Sequence, residues 1–502
     1  MLPRLRFYWV VVTCGAVIMA LEIVSSRILA PYFGNSVYIW GSIISVFLAA
    51  LSLGYLWGGR LADRHPTMAA LGRMITFAAF GQALLLMAGV PVTQWLAART
   101  GGASAGPLLA ATVLFGPTSV LLATVSPWAV RLAARDLGHL GNTAGRLYAL
   151  STLGSLAGTL ACTFLLIPFL ELREILGLLT ALTAVTALVA FGERLRAEAP
   201  TAALAALLVV FAVARGASVA RPAPGLLHER TTPYQTLRVY ERDGVRRLES
   251  DRMQQSAVEM ATGEPAVQYI RHVPFVLLLR PDMDRMLALG MGAGSAAGYL
   301  QKRLPGLEMD NVDIDPAVPE LARRFLLFRD SPRNRVHVAD GRSFVHASDE
   351  RWDFIFSDTY IGGSVPFHMT TVQFLEEVKR RLEPGGVFGV NLAAGLADPF
   401  SQAIYHTVEQ RFRTTYVIQV KARANVLVLA TDADPLPSDR LLARARELDR
   451  RWRFEPTLES LAGSRAPVDL DASGVPVLTD EFAPVDRLIR LGQAARDWDR
   501  QQ

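Results

Sequence analysis

Hydrophobic positions fall into two regimes along the chain. Before about residue 220 they run in long blocks, and seven of these approach the ~20 helical residues needed to cross a ~30 Å hydrocarbon core. They are Tyr8–Leu29, Val37–Trp57, Ala69–Leu96, Pro107–Val130, Tyr148–Phe169, Ile175–Phe191 and Thr201–Val219. The first is too long for a cleaved leader and is followed at once by a second span. The last is the weakest, because Arg215 interrupts it. Pro117 and Pro127 predict a kink or a break in the fourth. Gly54/Gly58 and Gly154/Gly158 repeat small residues at the spacing of close helix–helix contacts. Glu22, with Arg27 near it, is either a working group inside the first span or half of a polar pair that locks helices together.

Arginines gather at the N-terminus (Arg4, Arg6) and after the second, fourth and sixth spans (Arg60, Arg64, Arg131, Arg135, Arg194, Arg196). That asymmetry puts the N-terminus in the cytoplasm. Seven spans then deliver the rest of the chain outside, whereas six spans, with Thr201–Val219 or the fourth block discounted, keep it inside. The expected location is the cell membrane, multi-pass, with both sides open for the soluble part.

Beyond residue 220 the period changes. Arg221–Gly225 is a Pro-containing linker, and Gln235–Glu241 and Val245–Ser250 flank Asp243-Gly244, a strong hairpin signal. A small β subdomain over 226–283 is expected. From about residue 284 short apolar runs alternate with amphipathic stretches. The runs are Arg285–Leu289, Glu308–Ile314, Val336–Ala339, Phe354–Asp358, Gly386–Asn391, Thr415–Val420 and Val426–Ala430. The helical stretches between them include Ser295–Arg303, Pro316–Phe328, Thr371–Leu382 and Ser401–Gln410. Alternation of this kind predicts an α/β doubly wound, mostly parallel sheet over 284–435, with ligands at the carboxyl ends of the strands. Residues 436–502 read as an Arg-rich helical tail.

Composition supports this division. Of 502 residues, 51% are hydrophobic and 19% charged, which excludes a disordered chain and argues against an all-soluble one. The two cysteines, Cys14 and Cys162, lie in apolar blocks and can form neither a disulfide framework nor a zinc ribbon. Net charge is +5, but the arginines are dispersed and form no nucleic-acid footprint.

The candidate chemistry lies at the strand ends. Gly290-Met-Gly-Ala-Gly294 follows the first strand and opens a helix, so Gly290, Gly292 and Gly294 let backbone approach a nucleotide at a helix N-terminus. Asp313 ends the second strand, where a carboxylate can accept from ribose hydroxyls. Asp315 is a candidate cap for the next helix. Asp340-Gly341 ends the third strand, placed for an adenine amino group, and Asp358 ends the fourth, followed by Thr359 and Tyr360. An apolar strand delivering Asp358 should raise its pKa toward a general base's working range. No phosphate loop and no metal motif is present in the sequence, and His272 and His368, the histidines nearest this constellation, read as structural.

Tyr234 to about Leu392 resembles the spermidine synthase (polyamine aminopropyltransferase) family, in a branch fused to a multi-span membrane domain. Pro31-Tyr-Phe-Gly-Asn, Tyr38-Ile-Trp-Gly and Gly58-Gly-Arg-Leu-Ala-Asp-Arg64 are similar to the membrane part of such proteins. The last of these also resembles a cytoplasmic loop of major facilitator transporters. The resemblance implies a Rossmann-like domain of the class I methyltransferase type and a homodimer. It implies aminopropyl transfer from decarboxylated S-adenosylmethionine to a small-molecule amine, with no metal. On this match Gln235 of Tyr234-Gln235 contacts the nucleoside, and Asp313 of Val312-Asp-Ile-Asp315 holds the ribose. Asp340 and Gly341 then lie at the adenine, and Asp358 takes the proton from the attacking amine. Tyr234 and Tyr360 are further substrate contacts, Tyr360 through a cation–π interaction.

The departures fall on the amine side. Ala293, Gln268 and Ile361 stand where the family carries amine-binding carboxylates, and neutral side chains cannot replace that attraction. The alternatives are an S-adenosylmethionine-dependent methyltransferase acting on another acceptor, and a non-catalytic nucleoside sensor or transporter.

Overall fold

The computed structural model describes residues 2–33, 37–100, 105–134, 140–216, 223–251, 253–292, 294–360, 365–395, 397–420, 425–465 and 474–489. The chain divides into two compact units, Met1–Arg221 and Pro222–Gln502.

The first unit is wholly helical among the described residues. It comprises α1 (Leu2–Phe33), α2 (Val37–Arg64), α3 (Met68–Thr100), α4 (Ala105–Ala123), α5 (Val125–Ala133) and α6 (Leu140–Ala161). A π-turn over Cys162–Leu166 leads into α7 (Ile167–Phe169), followed by α8 (Leu172–Phe191) and α9 (Ala199–Gly216). With α4 and α5 counted as one span and α6 and α7 as another, seven helices among the described residues are long and apolar enough to cross a membrane. The predicted discontinuity in the fourth span is a break at Thr124, ahead of Pro127, whereas Pro117 lies inside α4. The fifth span starts at Leu140, well before the expected Tyr148, because its first turns are too polar to register as an apolar block. Arg135 and the last residues of the expected Thr201–Val219 span lie outside the described residues.

Both small-residue pairs sit where helices touch backbone to backbone. A Cβ at Gly154 would lie 2.2 Å from the Val12 carbonyl oxygen, and one at Gly158 would lie 2.1 Å from that of Ala16. Gly58 faces Thr124 at the break, where a Cβ on the glycine would lie 2.7 Å from the Thr124 Cα. Such contacts let α1 and α6 pack by dispersion at short range.

The second unit opens with an antiparallel sheet in the order β1-β2-β3-β4: β1 (Leu226–Thr231), β2 (Thr236–Arg242), β3 (Val245–Ser250) and β4 (Met253–Glu259). The expected hairpin is β2–β3, closed at Asp243-Gly244; β1 and β4, with no clean alternation, widen it to four strands. A 3-10 turn over Gln268–Phe275 and α10 (Val276–Leu279) lead into the main sheet.

That sheet has seven strands in the order β10-β11-β9-β8-β5-β6-β7. They are β5 (Arg285–Leu289), β6 (Glu308–Asp313), β7 (Asn334–Val338), β8 (Trp352–Ser357), β9 (Leu382–Leu392), β10 (Thr414–Gln419) and β11 (Val426–Thr431). Strands β5 to β9 pair in parallel, while β9, β11 and β10 are antiparallel. The helices are α11 (Ser295–Gln301), α12 (Ala317–Phe325), α13 (Gly341–Ala347), α14 (Val372–Arg381), α15 (Pro399–Glu409), α16 (Ser438–Arg451) and α17 (Leu458–Gly463). This is the doubly wound Rossmann-like architecture, with order reversing between β5 and β8, where such folds bind ligands.

Every residue of β8 is buried, as befits a central strand covered on both faces. Burying Phe354, Ile355 and Phe356 contributes roughly 1.5–3 kcal/mol each. Asp310 on β6 ties β7 and β8 together by accepting from Arg335, His337 and the Trp352 indole, and these partners hold its carboxyl below its ordinary pKa despite desolvation. The tail is not helical throughout: after α16 and α17, residues around Leu478 pack on the sheet's other side beside Phe374 and Phe400.

Replacing Gly158 by leucine should lower the stability of the detergent-solubilised protein by at least ~1–3 kcal/mol, because the new side chain meets the α1 backbone. Gly145→Ala on the same helix, where nothing lies within 4 Å, should leave the melting temperature within a degree or two or raise it slightly. Equal melting temperatures for the two variants would contradict the close α1–α6 contact.

Candidate active site

A cavity of about 300 Å³ opens at the carboxyl ends of β5, β6 and β8, roofed by residues of β2, β3 and β4. Its walls include Gln235, Leu237, Leu248, Gln255, Gly290, Gly292, Asp313, Asp340, Gly341, Asp358, Thr359, Tyr360 and His368. Eight of the ten candidate site residues therefore share one cavity. The other two lie apart: Gly294 caps α11 with its Cα against the Phe328 ring, and Tyr234 is exposed beside Gln235. Ala293 and Ile361, two of the three amine-side departures, lie outside the described residues; Gln268 begins the 3-10 turn.

The glycine turn allows the walls to meet. Gly290 has φ +85°, its N–H donates to the Val312 carbonyl, and a Cβ on it would fall 2.3 Å from the Asp358 carbonyl oxygen. Only glycine fits both the backbone conformation and the contact. The next residue, Met291, donates its N–H to Asp313 Oδ2 at 3.2 Å, and the Asp315 N–H donates to Asp313 Oδ1 at 3.0 Å. Desolvation nevertheless pushes the Asp313 carboxyl up to about 7.

Asp315 is fully buried and caps α12 through the Ala317 N–H. It also accepts from the Thr232 hydroxyl at 2.6 Å and from Gln235 Nε2 at 3.2 Å, while Ser250 donates to Gln235 Oε1. Gln235 is thereby fixed at the cavity from both ends of its amide. The acidic residue two positions past the strand end thus serves the wall through Gln235 as well as the helix.

Asp340 caps α13, accepting from the Ser343 N–H at 2.9 Å, and its other oxygen lies 2.9 Å from His368 Nε2. Desolvation works against the charge, but these two partners hold the carboxyl below its ordinary value. His368, read from the sequence as merely structural, is a wall residue. Behind it Arg342 donates to the His368 carbonyl and pairs with Glu377 at 2.8 Å and Asp480 at 2.7 Å, and Asp480 also accepts from the Thr371 hydroxyl.

Asp358 stands half-buried just past the end of β8. Tyr269 donates its hydroxyl to Oδ2 at 2.5 Å, and Asn391 donates Nδ2 to Oδ1 at 2.8 Å. The Asn391 amide is oriented in turn by Asn425, which donates to its Oδ1 at 3.1 Å. Desolvation raises the Asp358 pKa, with both hydrogen bonds opposing the rise. Tyr360 donates to the Asn391 carbonyl and accepts from the Ala393 N–H, so its ring is held at the cavity edge. Tyr269 and Asn391 went unnoticed in the sequence: one lies in a short turn and the other inside a strand, and neither falls in a chemical motif. Nothing in the composition signals Gln255 or the buried, unpartnered Thr359 hydroxyl either. Among the described residues no three His, Cys, Asp or Glu side chains are grouped to hold a metal ion.

Comparison with known proteins agrees with this architecture. Residues 286–386 match a family model described as a methyltransferase domain. The chain is 26% identical over 287 residues to a polyamine aminopropyltransferase of Vibrio vulnificus, covering 52% of this chain and 91% of that protein. It is 31% identical over 196 residues to the polyamine aminopropyltransferase of Chromobacterium violaceum, covering 38% of this chain and 73% of that protein. A human eEF1A lysine and N-terminal methyltransferase is 29% identical over 185 residues, spanning 34% of this chain and 26% of that protein. With 31% identity across an alignment that covers 73% of a named relative, the chain belongs to the spermidine synthase (polyamine aminopropyltransferase) family and is a transferase of the aminopropyltransferase type.

Proposed function

We propose that the second unit transfers an aminopropyl group from decarboxylated S-adenosylmethionine to a small-molecule amine, with Asp358 as the general base, and that the seven apolar helices anchor the enzyme in a bilayer. The observation that carries this reading is the convergence of Asp313, Asp340 and Asp358 with the Gly290–Gly292 turn on one cavity.

The residues fit an adenosine sulfonium. Asp313 offers acceptors for ribose hydroxyls beside the glycine turn, Asp340 offers one for an adenine amino group, and Leu237, Leu248 and Val312 supply apolar walls. Gln235, held by Asp315 and Ser250, presents its amide to the nucleoside. At the other end the acceptor arrives as an ammonium. Asp358 removes one proton, and the freed nitrogen lone pair attacks the carbon next to the sulfonium. The carbon–sulfur bond then breaks, and its electron pair stays on sulfur, leaving methylthioadenosine as a neutral thioether. A desolvated carboxylate suits this step, because its proton affinity lies closer to that of the amine than an exposed carboxylate's would. The match to a methyltransferase domain favours methyl transfer as the second reading, and the two differ in the mass added to the acceptor.

The test is incubation of the full-length solubilised protein with decarboxylated S-adenosylmethionine and amines, followed by mass spectrometry. An aminopropylated product is expected, falling by ~10²–10⁴-fold in Asp358→Asn while methylthioadenosine binding changes by no more than a few-fold. A methylated product, or turnover untouched in Asp358→Asn, would overturn the reading.

Nucleoside binding should also depend on pH. In the free cavity burial raises the Asp313 carboxyl to about 7, so it is largely protonated below that pH, and only the ionised form presents an acceptor at both oxygens to the ribose hydroxyls. Binding below that pH must therefore release a proton, and affinity for methylthioadenosine should climb between pH 6 and pH 8, by up to ~10-fold per unit on the acid side. Calorimetry across that range checks this, with the dependence lost in Asp313→Asn.

A further inference from the structure

The Asp358 carboxylate is gripped from two sides by groups that belong to neither the nucleoside wall nor the glycine turn. Tyr269 comes from the 3-10 turn ahead of β5 and Asn391 from β9, and the Asn425 amide at the start of β11 keeps the Asn391 NH₂ end toward Asp358. Tyr269 is only 7% exposed, Asn391 4%, and both are fully committed: the Tyr269 hydroxyl donates to Asp358, and the Asn391 amide has a partner at each end. Each carboxylate oxygen keeps a further lone pair for a proton arriving from the cavity.

We propose that Tyr269 and Asn391 are positioning residues that hold Asp358 as an oriented, ionised carboxylate ready to accept the proton of the acceptor ammonium. The proposal rests on the general-base reading for its role in turnover. The physical reason is the competition at this site. Burial favours the neutral carboxyl, whereas donors aimed at both oxygens favour the anion. The other titratable groups around it do not substitute for them. Tyr360 points its hydroxyl to backbone, Asp313 is held at the glycine turn, and Asp340 with His368 forms the opposite wall. Tyr269 itself is a donor throughout, since burial and the adjacent Asp358 keep its hydroxyl protonated well above pH 10.

Removing one donor shifts the balance toward the neutral acid. In Tyr269→Phe the protonation midpoint of Asp358 should rise by about one pH unit, the scale of one hydrogen bond to a charged group. The midpoint is read by infrared titration of the carboxyl C=O stretch in the full-length protein, assigned by its loss in Asp358→Asn. The acidic limb of kcat/KM against pH should move by the same amount, with activity recovering at high pH and methylthioadenosine affinity unchanged. Asn391→Ala should move the midpoint in the same direction, which keeps the test open should Tyr269→Phe fail to fold. A midpoint that stays put in the folded variants overturns the positioning role, whatever Asp358→Asn does to turnover. A midpoint that moves while Asp358→Asn retains turnover leaves the clamp standing and removes the general-base reading instead.

Discussion

The ends of three strands meet at Gly290, and the cavity depends on how closely they do so. The Gly290 N–H in the β5 turn donates to the Val312 carbonyl at the β6 end, and the Asp358 N–H at the β8 end donates to the Leu289 carbonyl. Between them there is no room for a methyl group, since a Cβ would stand 2.3 Å from the Asp358 carbonyl oxygen. That contact sets the separation between the wall bearing Asp313 and the wall bearing Asp358. A larger residue would have to part β5 from β8, and the two carboxylates would then face separate spaces.

Within that frame three aspartates with the same side chain acquire three different proton affinities. Asp340 is kept anionic by an amide and a histidine, Asp313 is drawn close to neutral pH by desolvation, and Asp358 is desolvated but steadied by two donors. The differences come from what each strand end meets in the fold. Dividing a row of identical groups in this way is how one cavity can anchor a ligand at one end and move a proton at the other.

Much of this was legible because it is local. A strand, a glycine turn and a helix are consecutive in the chain, and strand-end aspartates follow apolar runs that can be read directly, so the sheet and most of the wall could be anticipated. The residues around Asp358 could not. Tyr269, Asn391 and Asn425 reach one carboxylate from three separate elements, and each sits in a run whose pattern is dictated by packing. The dual service of Asp315 was half visible, since a cap is a neighbour effect, whereas its hold on Gln235 spans eighty residues. In the helical unit Pro127 predicted a discontinuity, but only the fold shows that the break falls at Thr124, against Gly58. Pro117, an equal candidate by sequence, stays within a continuous helix.

The hold of Asp480 on Arg342 has a consequence for how the protein is made. Asp340, Arg342 and His368 leave the ribosome more than a hundred codons before the carboxylate that ties their segment down, and Leu478 joins the same core by bonding to Val372 and Thr407. A nascent chain can pair β5 through β9 while this stretch is still untranslated, but the wall bearing Asp340 and His368 is buttressed by Asp480 only after residue 480 emerges. Synthesis therefore delivers the crevice first and its brace last.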